Sequence, residues 1–175
     1  VIGSGTTLDT ARFRTLIGRH FDVDSHHVHG YVIGEHGDSE VLVWSQAGIA
    51  GLSLDEFSHV HGKPLTAADR AQIDENVRRA AYHIIAGKGA TYYGIGSAVA
   101  RIVDVLLHDQ RAILSICCRL TGVPDCDGLT LALPHPVGGQ GALTTIPLVL
   151  DDAERKGLRR SANILREAIE SLDLK

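Results

Sequence analysis

His36 lies between two glycines in the run Gly34-Glu35-His36-Gly37-Asp38-Ser39. An imidazole titrates near neutral pH, so it can give up a proton and take it back within one reaction cycle. The flanking glycines let the backbone turn sharply and come close to a bound molecule. Asp9 and Arg12 stand three positions apart near the start of the chain, on one face if that stretch is helical. The carboxylate could orient a histidine, and the planar guanidinium could hold a carboxylate through two parallel hydrogen bonds. Read blandly, the same two residues are a surface ion pair of little energetic weight. Arg14, two positions beyond Arg12, points to a different side and would serve another site. A hydrolase using Ser39 or Ser4 with His36 and Asp9 is a competing reading, although no Gly-x-Ser-x-Gly elbow accompanies it.

The elements that must position these groups follow from periodicity. Val1-Ile2 and Gly3-Ser4-Gly5 read as a strand end and a tight loop, with Thr6 or Thr7 capping a helix that runs to about Ile17 or Arg19. An apolar run from Val28 to Ile33 leads into the histidine loop and Val41 to Trp44 leads out. His29 is seven positions from His36, which on an extended strand is roughly 20 Å, too far to share a site. From Thr66 a long helix is predicted, with Ile73, Val77, Ala80 and Ile84 as its core stripe. Gly87-Lys88-Gly89 breaks it, and the stripe resumes at Ile95, Val99, Ile102 and Leu106. The break exposes a helix start at Ala90 to Tyr93, suited to polar groups facing a ligand. Ala112 to Cys118, Leu129 to Leu133 and Pro136 to Gly139 read as strands of an antiparallel meander. A last helix opens at Asp151, with Leu158, Ala162, Leu165, Ile169 and Leu172 inward and Arg155, Arg159, Arg160 and Arg166 solvated. The fold class is α+β, helices packed on a mainly antiparallel sheet.

Composition narrows the function classes. At 175 residues and 44% hydrophobic, with a mean hydropathy of +0.05, the chain can bury one core but offers no membrane span or signal peptide. A cytoplasmic protein is the expectation. The net charge of −4, with Lys and Arg scattered, argues against nucleic acid as a partner. Three cysteines, two of them adjacent, read as free thiols. The histidine-rich bend at His26, His27 and His29 has no acidic ligand at a helical interval, so no metal is expected. The chain has no methionine and opens on an apolar run, which reads as the back part of a longer protein.

Three runs in order, Val1-Ile2-Gly3-Ser4-Gly5-Thr6 with Leu8 to Arg14, Gly34 to Ser39, and Lys88-Gly89-Ala90-Thr91-Tyr92-Tyr93-Gly94-Ile95-Gly96, resemble the bacterial L-lactate dehydrogenases. The likeness extends over nearly the whole chain and includes the 27-residue interval between Asp9 and His36. It implies the C-terminal, substrate-binding and catalytic domain over residues 1–175, with the N-terminal NAD-binding domain absent. His36 would exchange a proton with the oxygen of pyruvate or L-lactate, Asp9 would orient it, and Arg12 would hold the substrate carboxylate. Thr91 would border the substrate, and Ser4 and Ile95 would lie beside the nicotinamide of NAD.

The resemblance also implies that Arg14 and His29 bind the phosphates of fructose 1,6-bisphosphate as an activator across a subunit interface, and that the protein is a homotetramer. No Gly-x-Gly-x-x-Gly turn follows a strand, and the family's mobile specificity loop is absent, so the fragment alone is expected to be inactive or nearly so. A malate dehydrogenase of the similar type is the nearest alternative, although those enzymes usually carry glycine where this chain has Glu35. A non-catalytic oligomerisation or phosphate-binding module is the other. Cys117-Cys118-Arg119-Leu120 and Pro134-His135-Pro136 depart from the family pattern.

Overall fold

The computed structural model describes residues 1–172; the last three residues of the expected domain, 173–175, lie outside the described residues. Helix α1 (Gly5–Phe21) is the axis of the first half. Its inward positions, Thr6, Asp9, Thr10, Phe13, Ile17 and Phe21, recur every three or four residues, so a single face carries both the apolar core and Asp9. Short strands follow: β1 (Val28–His29), β2 (Val32–Ile33), β3 (Val41–Leu42), β4 (Gly48–Ile49) and β5 (Leu52–Ser53). β1 pairs with β4, β4 with β5, and β2 with β3, all antiparallel. Helices α2 (Leu54–His61), α3 (Ala67–Arg78), α4 (Ala80–Lys88) and α5 (Tyr93–Leu107) come next. The meander β6 (Ala112–Arg119), β7 (Thr130–Gly138), β8 (Gly141–Ala142) and helix α6 (Asp152–Ser171) complete the chain. The mixture of helices and antiparallel sheet is the expected fold class. No helix among the described residues is long and apolar enough to cross a membrane.

Three apolar clusters hold these elements. α1 packs with β1, β2, α2 and α3 around Phe13, Ile17 and Phe21, and Trp44 meets Phe13 edge to face at 4.7 Å. α6 seals β7 through Ala162, Leu131 and Leu133, and α5 lies on the sheet through Ile102, Val105 and Ile116. Polar bonds stitch the clusters together. The Thr6 and Thr7 hydroxyls donate to the Ser115 carbonyl, the Ser115 hydroxyl donates to the Val32 carbonyl, and the Val32 N–H donates to Thr10 Oγ1.

That stitching corrects the predicted cap. Neither threonine caps α1, because both hydroxyls are spent on β6; the cap position is Ser4, and the helix begins earlier than predicted, at Gly5. α1 also runs past Arg19 to Phe21, and stops at Asp22, whose φ of 56° is left-handed. The single long helix after Thr66 is two helices, parted at Arg79. Ile73 and Val77 are buried, but no residue of α4 is, since α4 leaves the core after Val77. In α5 the buried stripe is Ala98, Ile102 and Val105, while Ile95 and Val99 face outward; Ile169 of α6 and Leu172, which follows it, are likewise exposed. The two predicted strands at Leu129 and Pro136 are one, β7. Pro134 and Pro136 fit inside it because their carbonyls accept from Ile146 and Leu143, so the missing N–H groups face that segment and the ladder to β6 is unbroken.

Phe13→Ala removes one of the two wholly buried phenylalanines of the main cluster, with no solvent exposure to cushion the loss. It is expected to cost about 3–5 kcal/mol, read as a drop in the urea midpoint at unchanged slope.

Candidate active site

The histidine loop joins β2 to β3 and is held from four directions. Gly34 bridges to Ala132 of β7, its N–H donating at 2.9 Å and its carbonyl accepting at 3.1 Å. Its φ is 92°, and a Cβ there would press on Ser161 Oγ, so glycine is required on both counts. The wholly buried Ser161 of α6 accepts the Glu35 N–H at 2.6 Å. Arg78 of α3 donates to the carbonyls of Asp38 and Glu40. Gly5, at the start of α1, lies directly under the His36 ring, where any Cβ would overlap it.

On this support His36 Nδ1 meets Asp9 Oδ2 at 2.6 Å, and Asp9 Oδ1 accepts from Arg12 Nη1 at 2.9 Å. The Asp9 side chain is 2% exposed and that of His36 is 55% exposed. With Nδ1 committed to the carboxylate, Nε2 is the atom available to a reactant. The hydrogen bond to Asp9 raises the His36 pKa, opposed by partial burial and by the Arg12 charge, and aided by Glu35. A cleft of about 520 Å³ opens here, lined by Asp9, Arg12, His36, Arg78, Tyr82 and Arg160 among others. Arg160 is therefore not merely part of a solvated face, and Arg159 and Arg166 bind Asp125, the former at 2.9 Å.

His36, Asp9 and Arg12 thus come together. One amino group of Arg12 is on Asp9, and the other lies 3.9 Å from where a Cβ on Gly94 would sit, which sets the start of α5 against it. Ile95 follows Gly94 and Thr91 precedes it by three residues, both exposed, and Ser4 precedes Gly5 as the residue capping α1. Arg14 and His29 lie apart from this cluster. Arg14 Nε donates to the Gly30 carbonyl at 2.9 Å, its guanidinium covers the Tyr31 ring at 5.2 Å, and burial lowers its pKa. His29 is exposed on β1. The hydrolase arrangement fails on geometry: the Ser39 hydroxyl donates to Glu35 and contacts Ser161, with no bond to His36 among the described residues.

Sequence reasoning passed over Glu40, which is 3% exposed and sits beside Asp9. Burial, reinforced by the Asp9 charge, pushes its pKa up to about 9. The available signal was an acidic residue abutting the inward run Val41-Leu42-Val43. Asp9, His36 and Glu40 each offer a ligand atom within 4.8 Å of the others. Both Asp9 oxygens and His36 Nδ1 are already engaged, with the Arg12 cation at the same carboxylate, so the donor set is arranged for a proton.

These features define a class: an α+β domain whose half-exposed histidine is oriented by a buried carboxylate and flanked by an arginine. The family model for the lactate/malate dehydrogenase α/β C-terminal domain matches residues 6–173, and the chain belongs to that family. It is 55% identical over 174 residues to the L-lactate dehydrogenase of Geotalea daltonii, covering 99% of this chain and 56% of that protein. It is 49% identical to that of Thermus aquaticus, covering 98% and 56%. A crystal structure of a lactate dehydrogenase from a Medee basin deep-sea metagenome library superposes with a TM-score of 0.94 at 39% identity, covering 99% of this chain and 55% of that one. The chain therefore spans little more than half the length of these relatives.

Asp9→Asn keeps the shape and removes the charge. The His36 pKa is expected to fall toward its ordinary value of about 6.5, read by the ring NMR titration. Because the folded pKa is raised, the stabilisation from this pair is complete below about pH 6.5 and is lost as pH rises through the folded pKa. The variant's stability should lose that pH dependence.

Proposed function

We propose that this chain is the substrate-binding and catalytic part of an L-lactate dehydrogenase, interconverting pyruvate and L-lactate with NAD(H). The observation that carries the reading is the Arg12–Asp9–His36 chain of bonds at the mouth of a cleft, in a family whose matched relatives are L-lactate dehydrogenases. The cofactor's own domain is expected in the part of the relatives' length that this chain does not span. This chain's surface suits a nicotinamide, since Ser4 adjoins the glycine floor beneath His36 and Ile95, next in sequence to the Gly94 that faces Arg12, presents an exposed apolar side chain.

Bound NADH supplies the hydride. Protonated His36, held by Asp9, directs its Nε2–H at the carbonyl oxygen of pyruvate, so the positive imidazolium both polarises the carbonyl and donates the proton. Asp9 keeps the imidazolium charged and fixes its tautomer. The Arg12 donors not used by Asp9 hold the substrate carboxylate, which places the carbonyl at the histidine, and Thr91 borders the substrate. In the reverse direction neutral His36 accepts the hydroxyl proton of L-lactate. Arg14 and His29 serve a second site for fructose 1,6-bisphosphate, supported by the Arg14 bond to Gly30, the residue after His29. A cytoplasmic homotetramer completes the reading.

The test is NADH-dependent reduction of pyruvate and oxaloacetate by this chain joined to the nucleotide-binding half of the Geotalea daltonii enzyme, with and without fructose 1,6-bisphosphate. Pyruvate should be reduced faster, the bisphosphate should raise the rate, and His36→Ala should lower kcat by about 10²–10⁴-fold. Preference for oxaloacetate would overturn the substrate, and an unchanged rate in His36→Ala would overturn the mechanism. Arg14→Ala should abolish the bisphosphate response while leaving the basal rate.

A further inference from the structure

Glu40 is the one buried acid in the cleft that the mechanism above does not use. It begins the run into β3 and its side chain is sealed among α1 and α3. Its Oε1 is buried and has no hydrogen-bond partner among the described residues. An ionised carboxylate in that position would lack the donors that make burial of a charge tolerable. None of the cations nearby is bonded to the Glu40 carboxyl among the described residues. Arg78 is paired with Asp74 and donates to main-chain carbonyls, one of them Glu40's own, Arg12 is on Asp9, and Arg160 of α6 lines the cleft as an exposed side chain. What the Glu40 carboxyl faces is the carboxylate of Asp9, an oxygen of each lying within 4.8 Å of the other. Two carboxyl groups this close in a buried site do not both ionise; they hold one proton between them. Asp9 faces Arg12 and His36 and is the better anion, so the proton belongs on Glu40.

We propose that Glu40 is a positioning residue for the His36–Asp9 pair, acting as a neutral carboxylic acid that donates its proton in a hydrogen bond to Asp9. This deepens the dehydrogenase reading and rests on it for its catalytic consequence. The Glu40 hydrogen bond ties the Asp9 carboxylate to the start of β3 independently of whether His36 carries its proton. Asp9 therefore keeps its orientation through the half of the cycle in which His36 is neutral and holds it less strongly. It also draws charge from Asp9, which holds the proton affinity of His36 below what a bare carboxylate partner would give, so His36 still releases its proton to the substrate oxygen. The charged groups facing Glu40 are Asp9 and Arg12 from α1, Arg78 and Asp74 from α3, Arg160 from α6, and His36 from its own loop. Among these Glu40 is the group that can be neutral without leaving a partner unpaired.

The test is NMR titration of the 175-residue chain, following the ring of His36 and the carboxyl carbon of Glu40. In the unsubstituted chain the Glu40 carboxyl carbon should still report the protonated acid at pH 7 and titrate well above it; an ionised Glu40 at pH 7 overturns the proposal. In Glu40→Gln the amide replaces one neutral donor by another, and the His36 midpoint should stay within about 0.3 pH unit. Were Glu40 a carboxylate, the same change would delete a negative charge within 4.8 Å and lower that midpoint by about one pH unit or more. In Glu40→Ala the donor is lost and the His36 midpoint should rise. In the joined, active protein Glu40→Ala should lower kcat about tenfold, and Glu40→Gln should restore it to within about threefold of the parent. Equal losses in both variants would assign Glu40 a packing role and overturn the proposal. A joined protein inactive on pyruvate, with the NMR pattern intact, would sink the dehydrogenase reading alone.

Discussion

The structure depends on a carboxylate that is buried and yet charged. Asp9 lies on the core face of α1, in line with Phe13, Ile17 and Phe21, where an unpaired acid would be ruinous to the fold. It is tolerated because its two oxygens are each taken by a cationic or ionisable partner, Arg12 three residues along the same helix and His36 on a loop across the cleft. The same bonds that make the burial tolerable also hold the histidine in one tautomer with one nitrogen outward. Stability and chemistry share a single set of contacts, and the histidine is placed by the helix that organises the core.

Around that pair the loop from Gly34 to Glu40 has almost no structure of its own. Its geometry comes from elsewhere: β7 through Ala132, α6 through Ser161, α3 through Arg78, and the bare backbone of Gly5 under the imidazole. None of these supports is itself reactive. They restrict the ring to a plane and a height, which is what proton transfer over a hydrogen-bond distance demands.

Much of this was legible in the residues, and the boundary is physical. Asp9 and Arg12 share a helix face, so their meeting followed from spacing alone, and the glycines beside His36 marked the loop. The caps Thr66 and Asp151 declared their helices correctly, since each is followed three residues on by an acid that returns the bond. Thr6 and Thr7 misled because a hydroxyl beside a helix start is equally able to bond a strand 109 residues away. The stripe from Ile73 to Ile84 misled because period is local and burial is not; α4 keeps the rhythm after leaving the core. The parts of Ser161 and Arg160 could not be read for the same reason, and Glu40 offered only its place before an inward run, since what these residues do depends on which elements the fold brings to the loop. Roles such as those of Thr91, Ser4 and Ile95 came only from family likeness, for nothing in their types or spacing distinguishes them.

The bond from Ser161 to Glu35 spans 126 residues of chain. At a synthesis rate of roughly 5–20 residues per second, the histidine loop exists for about 6–25 s before the serine that braces it has been made. Throughout that interval α1 and the first strands can collapse, yet the loop carrying His36 has neither β7 nor α6 to set it. The geometry of the candidate site is thus a property that waits on α6, and a nascent or C-terminally clipped molecule carries His36, Asp9 and Arg12 in its sequence without the brace that sets the loop.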